Sequence, residues 1–384
     1  MSIKDKYAFV GLGLTQQGKI PAMSPDDLAT QAILLALADA GMRKDEVDGY
    51  IYQQGIGGGP NGVTPMLRAG IPVKHCWEMQ SGGSNCLSIV MAAVGALEAG
   101  LCQVCVIVHA TSASSQGVLV GRPGERSYGI EGVYGAYAPG VHGAWLAQRY
   151  MHLYGLTREQ LGSVAVTFRE YANKRPEAVM YGRTMTMDDY LNARMVIEPL
   201  CLFDFCLVND GAVALVITSA ERAKEYRKPP VYIMGYGSDH SIRELGRSPQ
   251  AYLHWDGFVT QKAGEGAFRM AGVTLADVDV AQLYDAFTPF VLSQLESYGV
   301  CGRGEAGAFV EAGNLKLDGA FPCNTSGTEL SWSYLQGFSH LTEGVRQLRN
   351  EAGECQVRDA EICMVTGLGP PRPGSLANCC ILRR

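Results

Sequence analysis

Apolar and polar positions follow two different periods in the first fifty residues. Tyr7 to Gly13 is an apolar run that ends in a glycine turn, which is typical of a buried strand. From Asp26 to Ala40 the apolar residues recur at helical spacing, and Gly41 stands where a helix C-cap is expected. Val47 to Tyr52 is a second apolar run. The pattern predicts a strand, a helix and a strand, the unit of an α/β fold.

The same pattern returns in the second part of the chain. Six residues recur with identical spacing and in the same predicted roles: Ala263, Ala267, Ala271, Gly272, Val278 and Asp279 correspond to Ala32, Ala36, Ala40, Gly41, Val47 and Asp48. The strand before the helix also recurs, as Val231 to Gly237. Identities at matched structural positions indicate a duplicated unit. We therefore expect two halves, residues 1–224 and 225–384, with the charged segment Glu221 to Pro230 as the hinge.

The region between the two repeats predicts buried elements and one long insertion. Cys86 to Ala99 is rich in alanine and glycine and predicts a helix that is buried on all sides, followed by a central strand from Val104 to His109. Thr111 to Gly143 has no clear period, and unstructured segments of this length are usually functional or disordered. Helical patterns return at Ala144 to Tyr154 and after a capping box at Thr157 to Gln160, so we expect a loop insertion over about residues 111–200.

Composition excludes several classes of function. The chain has 384 residues, of which 47% are hydrophobic and 18% charged, and its formal charge of −6 gives no basic surface for nucleic acid or an anionic membrane. No apolar run approaches a membrane span, and we expect a cytoplasmic protein. Twelve cysteines are then expected to be reduced thiols, and Cys102-Gln-Val-Cys105, the only C-x-x-C pair, has no second pair beside it, so no metal site is expected.

Candidate chemistry is concentrated between Gly319 and Gly353. A Pro-Cys-Asn-Thr-Ser-Gly turn comes first, Tyr334 and Gly337 follow, and a helix with Leu341, Val345 and Leu348 on one face comes last. This stretch resembles the thiolase superfamily, in its sterol-carrier-protein-x branch, which carries an Asn-Thr-Ser-Gly-Gly-Leu-Leu-Ser loop before a Gly-His-Pro-x-Gly catalytic histidine. Here the loop is Asn324 to Ser331, with Thr328-Glu329 in place of small residues, and Tyr334 occupies the histidine position.

The resemblance implies the thiolase fold. Two duplicated βαβαβ halves would form a layered α-β-α-β-α sandwich, with a loop insertion over the substrate. The internal repeat supports the same architecture from different residues.

Two residues that thiolase chemistry requires are absent from their expected positions. A thiolase uses a cysteine thiolate at a helix N-terminus, but no cysteine falls at that position in Glu78 to Ser88. Cys86 is the only candidate and lies several residues late. The second catalytic cysteine is also missing, since Cys363 precedes the matching Val365 to Gly369 turn by two residues.

A second tyrosine stands at the family's oxyanion motif, which reads Tyr284-Asp-Ala-Phe-Thr288 instead of beginning with asparagine or histidine. The pair Tyr284 and Tyr334 resembles the steroid side-chain aldolases, thiolase-like enzymes that cleave a β-hydroxyacyl-CoA by retro-aldol chemistry. The resemblance implies Tyr284 as proton donor and Tyr334 as base, or the reverse, and a phenol needs a lowered pKa to be a base. It also implies that the thioester of coenzyme A is bound around Asn324, Ser326, Gly327, Gly337 and Gly367.

Two alternatives stay open at this point. One is a thiolase that cleaves an unusual, for example aromatic, β-ketoacyl-CoA through Cys86, and the other is a non-catalytic subunit that binds acyl-CoA or lipid. The resemblance further implies no tightly bound cofactor, with coenzyme A only as part of the substrate. It implies a homodimer that joins a small partner with an OB fold and a zinc ribbon in a heterotetramer.

Overall fold

The computed structural model describes residues 2–55, 58–79, 86–118, 130–133, 135–136, 138–240, 260–369 and 376–384. The strands are β1 Tyr7–Leu14, β2 Gly49–Gln54, β3 His75–Met79, β4 Val104–Ser112, β5 Met195–Ile197, β6 Leu200–Cys201, β7 Asp210–Ser219, β8 Val231–His240, β9 Val280–Gln282, β10 Ile362–Leu368 and β11 Leu376–Arg383. The helices are α1 Pro25–Ala40, α2 Thr64–Ala69, α3 Cys86–Glu98, α4 Ile130–Val133, α5 Pro139–Tyr154, α6 Arg158–Ala172, α7 Met187–Leu191, α8 Ala220–Ala223, α9 Thr260–Ala271, α10 Thr288–Ser297, α11 Ala306–Glu311 and α12 Phe338–Leu348. One turn of π-helix spans Thr328–Trp332.

The main sheet has the strand order β3-β2-β4-β7-β1-β8-β11-β10-β9. Strands β1 and β8 share only two residue pairs, so they join two smaller sheets. The two sheets have the same construction. Strand β7 lies antiparallel between β1 and β4 as β11 does between β8 and β10, and β2 runs parallel to β4 as β9 does to β10. The duplicated α/β unit predicted from the sequence is therefore confirmed.

Helices separate and cover the two sheets. Helices α3 and α12 lie in the middle, where their apolar side chains share one core cluster with strands of both sheets. Helix α1 packs on the outer face of the first sheet. Helix α9 packs on β8 and β11 of the second sheet. The layers thus follow the order α-β-α-β-α, as the sequence predicted.

Small residues in the repeat allow each outer helix to lie directly on its first strand. A Cβ atom on Gly13 would lie 2.0 Å from the carbonyl oxygen of Ala32, and one on Gly237 would lie 2.0 Å from that of Ala263. These distances are shorter than any non-bonded contact, so neither strand tolerates a side chain there. The recurring alanines are therefore the helix side of two equivalent strand–helix contacts.

The aspartates of the repeat also have equivalent partners. Asp48 accepts hydrogen bonds from the main-chain N–H groups of Gln103 and Val104 at the start of β4. Asp279 accepts from the N–H groups of Glu361 and Ile362 at the start of β10. Each carboxylate therefore ties the start of one parallel strand to its neighbour. The exact boundary between the halves, at residue 224, stays a prediction.

The insertion predicted over residues 111–200 is largely helical where it is described. Helix α5 contains the predicted segment Ala144 to Tyr154, and the predicted capping box of Thr157 and Gln160 begins α6. Residues 119–129, 134 and 137 of the predicted loop lie outside the described residues. The two helices pack on the second half of the chain, where the Tyr171 hydroxyl donates to the Leu315 carbonyl at 2.9 Å. Helices α5 and α6 of the first half therefore cover one side of the second half.

Within the described ranges, no helix is both long and apolar enough to cross a membrane. In the same ranges, no three His, Cys, Asp or Glu side chains are grouped so that they would hold a metal ion.

Candidate active site

Tyr284 lies just after β9, and hydrogen bonds to its main-chain N–H and carbonyl groups hold it in place. Its N–H donates to the Thr366 hydroxyl at 3.0 Å, and its carbonyl accepts from Gln294 Nε2 at 2.8 Å. The Thr366 hydroxyl in turn donates to Gln294 Oε1 at 2.6 Å. The side chain is only 3% exposed. Strand β10 and helix α10 therefore fix the position of this phenol.

Tyr334 lies in the loop between the π-helix and α12, and residues of the first half hold this loop. The Tyr334 N–H donates to Asn209 Oδ1 at 2.7 Å, and Asn209 Nδ2 donates to the Ser333 hydroxyl at 2.9 Å. The Ser333 hydroxyl donates to Gln17 Oε1 at 2.7 Å. Tyr334 itself is partly exposed. One half of the chain therefore positions the phenol carried by the other.

The two phenols lie together. Their mutual interaction adds to the rise in the pKa of Tyr284 and opposes part of the rise in the pKa of Tyr334. Both pKa values are nevertheless raised well above the ordinary phenol value. Burial is the main cause for each, followed by the charge of Glu329 for Tyr284 and by Cys206 and Glu329 for Tyr334. The sequence interpretation required a lowered phenol pKa, whereas the described surroundings, which are apolar and acidic, raise the pKa of both phenols.

Glu329 is a fully buried carboxyl group whose charge acts on both tyrosines. Its Oε1 accepts a short hydrogen bond from the main-chain N–H of Gly337, and its Oε2 has no hydrogen-bond partner in the described structure. Burial, and then the charge of Asp285, raises the pKa of Glu329 well above the ordinary carboxyl value. In the sequence, Glu329 was noted only as part of the Thr328-Glu329 pair that replaces small residues of the family loop. The feature of the sequence that could have indicated a larger role is an acidic residue at a loop position where small residues are common.

Asp285 organises the start of the π-helix. Its Oδ1 accepts from the main-chain N–H of Glu329 at 3.1 Å, and its Oδ2 accepts a short hydrogen bond from the Thr328 hydroxyl. His340 Nε2 lies 2.8 Å from Oδ1 without the alignment of a hydrogen bond, and its ring lies 5.7 Å from that of Tyr284. All these groups except Tyr284 are completely buried. Asp285 therefore orients the main chain at the start of the π-helix.

Cys86 is the first described residue of α3, and its thiol is completely buried. Burial, and then the charge of Glu329, raises the pKa of this thiol well above its ordinary value. Thiolase chemistry needs the opposite, an accessible thiol with a lowered pKa. Residues 80–85, which precede Cys86 in the sequence, lie outside the described residues. In this structure Cys86 packs in the core cluster between the two sheets.

The residues assigned to coenzyme A binding are all buried and build the loop itself. Asn324 Oδ1 accepts from the N–H of Leu283 at 2.7 Å, and its Nδ2 donates to the Leu283 carbonyl at 2.7 Å. Because both ends of the amide are paired with main chain, Asn324 builds the loop, and its role in coenzyme A binding stays a prediction. The Ser326 hydroxyl likewise accepts from the Thr328 N–H at 3.2 Å.

The three glycines of the assignment have backbone roles. Gly327 has a φ of 86°, and a Cβ atom on it would lie 2.4 Å from the Phe168 carbonyl oxygen of α6. Gly337, with a φ of 88°, begins α12 and donates its N–H to Glu329. Gly367 lies inside β10 opposite Asn378. These positions allow close main-chain approach around the tyrosines, and thioester binding by Ser326, Gly327, Gly337 and Gly367 stays a prediction.

The chain is similar to known proteins over nearly its whole length. A family described as thiolase C-terminal domain-like matches residues 253–383. The chain is 34% identical over 390 residues to a 17-hydroxy-3-oxo-4-pregnene-20-carboxyl-CoA lyase from Mycobacterium tuberculosis, covering 97% of this chain and 99% of the relative. The chain belongs to the thiolase superfamily, in the group of the steroid side-chain-cleaving aldolases. The family resemblance drawn from the tyrosine pair is thus confirmed.

Two further members of this group match over their full length. A steroid side-chain-cleaving aldolase from Thermomonospora curvata is 34% identical over 382 residues, covering 96% of each protein. Among solved structures, an Ltp2-ChsH2(DUF35) aldolase superposes with a TM-score of 0.86 at 31% identity, covering 100% of this chain and 99% of that one.

Proposed function

We propose that this chain is an acyl-CoA retro-aldolase that cleaves a carbon–carbon bond of a bulky, steroid-type β-hydroxyacyl-CoA. The observation that carries the proposal is that Tyr284 and Tyr334 interact while the Cys86 thiol is buried with a raised pKa, in a chain that aligns over 96% of its length with an aldolase of this type. Two proton-transfer groups without an accessible nucleophile suit a lyase better than an acyltransferase.

The name of the mycobacterial relative defines a suitable substrate class. In a 17-hydroxy-20-carboxyl-CoA steroid, the hydroxyl carbon C17 is β to the thioester carbonyl and is bonded to C20. Removal of the hydroxyl proton turns C17 into a ketone as the C17–C20 bond breaks. The electron pair of that bond stays with C20 and forms a thioester enolate. A proton delivered to C20 then gives a three-carbon acyl-CoA, propionyl-CoA. Protons and electrons balance without an oxidant or a covalent enzyme intermediate.

The two tyrosines take complementary roles in this scheme. Tyr334 accepts the hydroxyl proton, and Tyr284 protonates the enolate carbon. The interaction between the phenols supports this direction, because it favours the charged form of Tyr334 and the neutral form of Tyr284. No acyl-enzyme forms, so the burial of Cys86 is no obstacle. Coenzyme A enters only as part of the substrate.

The proposal includes partners. The solved Ltp2 aldolase carries ChsH2(DUF35) in its name. By analogy, we propose that two copies of this chain form a dimer and bind two copies of a small protein with an OB fold and a zinc ribbon, in the cytoplasm. Co-expression with candidate small subunits, followed by light scattering on the purified complex, tests this. A chain that stays alone and is fully active contradicts it.

The test of function is product analysis. The chain, alone and with its partner, is incubated with the 17-hydroxysteroid CoA thioester, and mass spectrometry follows the 17-ketosteroid and propionyl-CoA. Tyr284→Phe and Tyr334→Phe should each lower kcat on the order of 10²-fold or more, since each removes one proton-transfer group. Tyr181→Phe, at an exposed tyrosine, is the matched control. Substantial cleavage by both single variants would remove the proposal.

The same experiment separates the alternatives. A thiolase would act on the matching β-ketoacyl-CoA, would need free coenzyme A and would be inactivated by alkylation of Cys86. A binding subunit would hold acyl-CoA without turnover and would not respond to the tyrosine variants. We expect cleavage of the β-hydroxyacyl-CoA without free coenzyme A, and no loss on treatment with iodoacetamide.

A further inference from the structure

A buried carboxylate oxygen without a partner lies in the wall of the proposed site. Glu329 is 0% exposed, and its Oε2 makes no hydrogen bond to the described residues. Its other oxygen is anchored by the Gly337 N–H at the start of α12. A buried, unpaired carboxylate oxygen is destabilising, so its presence calls for a reason outside stability.

The groups around Glu329 do not supply a compensating positive charge. Burial disfavours the charged form of Glu329 most, and the charge of Asp285 adds to this effect. The hydroxyls of Tyr284 and Ser339 face the carboxyl group and act in the opposite direction, although neither makes an aligned hydrogen bond to Oε2. Glu329 in turn acts on both tyrosines. His340 faces Asp285 from α12. The titratable groups that surround Glu329 in the described structure are Cys86, Cys206, Tyr284, Asp285, Tyr334 and His340.

The tyrosines need a proton acceptor beyond themselves. Burial raises the pKa of both phenols well above their ordinary value, so neither is a phenolate at neutral pH. Burial raises the pKa of Glu329 as well. A carboxyl group, however, ordinarily has a pKa of ~4.3 against ~10 for a phenol, so it gives up its proton far more readily. Among these three groups the carboxylate is thus the better resident base.

We propose that Glu329 holds the substrate proton during cleavage and acts through the tyrosine pair. The substrate hydroxyl gives its proton to Tyr334, Tyr334 gives its own to Tyr284, and Tyr284 gives its own to Glu329 as the carbon–carbon bond opens. Tyr284 then protonates the enolate carbon and recovers a proton from Glu329. At the end of the cycle each group has its starting proton. This inference rests on the proposed retro-aldolase function.

A purely structural role makes a different prediction. Glutamine at position 329 keeps an oxygen that accepts from the Gly337 N–H, so the Tyr334 loop would stay in place. It has no basic oxygen to take a proton. If Glu329 only anchors the loop, Glu329→Gln leaves catalysis nearly unchanged. If Glu329 holds the proton, the same variant folds and binds substrate but turns over slowly.

The experiment measures kcat and KM from pH 5 to 9 for wild type, Glu329→Gln, Glu329→Asp and the exposed control Glu221→Gln, on the 17-hydroxysteroid CoA thioester. Wild-type kcat should fall as the pH falls through the pKa of Glu329, because the base must be deprotonated. Glu329→Gln should lower kcat on the order of 10²-fold with KM nearly unchanged, and it should lose the acidic limb. Glu329→Asp should recover part of kcat, and the acidic limb of its pH profile should lie at a different pH from that of wild type.

The outcomes are distinguishable. Turnover by Glu329→Gln within about threefold of wild type, with the same acidic limb, overturns the role of Glu329 and leaves the aldolase function standing. Absence of cleavage by wild type with its partner overturns the function itself. If Glu329→Gln does not fold, as circular dichroism shows, the limb of Glu329→Asp decides, and an undisplaced limb contradicts the proposal.

Discussion

His109 should make the protein sensitive to mild acid. The residue lies in β4, is completely buried, and neither ring nitrogen has a hydrogen-bond partner among the described residues. Its ring stacks on that of Phe338 at 5.7 Å, between the first sheet and α12. Burial lowers the pKa of His109 to about 3. In the unfolded chain a histidine titrates near pKa ~6.5, so the unfolded state binds a proton that the folded state excludes.

The sign and size of the effect follow from this difference. Stability attributable to His109 is fully present above the unfolded pKa and is lost as the pH falls from about 6.5 toward the folded value. Between pH 8 and pH 5, protonation of the unfolded state favours unfolding by about 2 kcal/mol. His109→Leu removes the titrating group, so its free energy of unfolding should decrease about 2 kcal/mol less than that of wild type over this interval.

Urea unfolding at pH 8, 7, 6 and 5 measures the effect, with the fluorescence of the buried Trp332 as one reporter. Phe338→Leu is the matched control, because it loses packing at the same contact but no titrating group. Its cost should be independent of pH. The reasoning is refuted if His109→Leu has the wild-type dependence on pH, since the imidazole would then be protonated, or paired, in the folded state.

Two further substitutions test the packing around the site. Arg175→Met leaves Glu343 buried without the guanidinium that lies 2.6 Å away, so it should lower the free energy of unfolding by about 3–5 kcal/mol. Adding Glu343→Leu in a double variant should restore part of this loss. No loss in urea unfolding would mean that the ion pair is dispensable. Gly237→Ala should lower the free energy of unfolding by about 1–3 kcal/mol because its Cβ would meet α9. Gly95→Ala on α3, where a Cβ would have open space, should not destabilise the protein. Equal effects of the two substitutions on thermal unfolding would contradict this reasoning.

The fold was predictable because its decisive signals are local. Alanines at helical spacing, a C-cap glycine and an apolar run recur in both halves, and each marks an element without reference to distant residues. The structure adds what the repeat leaves implicit. Ala32 and Ala263 recur because Gly13 and Gly237 bring a strand against the helix backbone.

The site was predictable only where the type of residue by itself indicates the chemistry. Tyr284 and Tyr334 stood out as phenols at positions expected to carry histidine or asparagine. The roles of Asn324 and Glu329 depend on contacts with Leu283 and Gly337, which no local pattern specifies. The raised pKa values of the tyrosines likewise follow from burial, and burial is a property of the assembled layers.

The anchoring of Tyr334 by Asn209 and Gln17 has an evolutionary consequence. After duplication, the two copies kept the same strands but divided their duties: the second copy carries both phenols, and the first supplies the side chains that hold one of them. Selection on turnover therefore acts on both copies at different positions. Expressed separately, neither copy would inherit half of the activity.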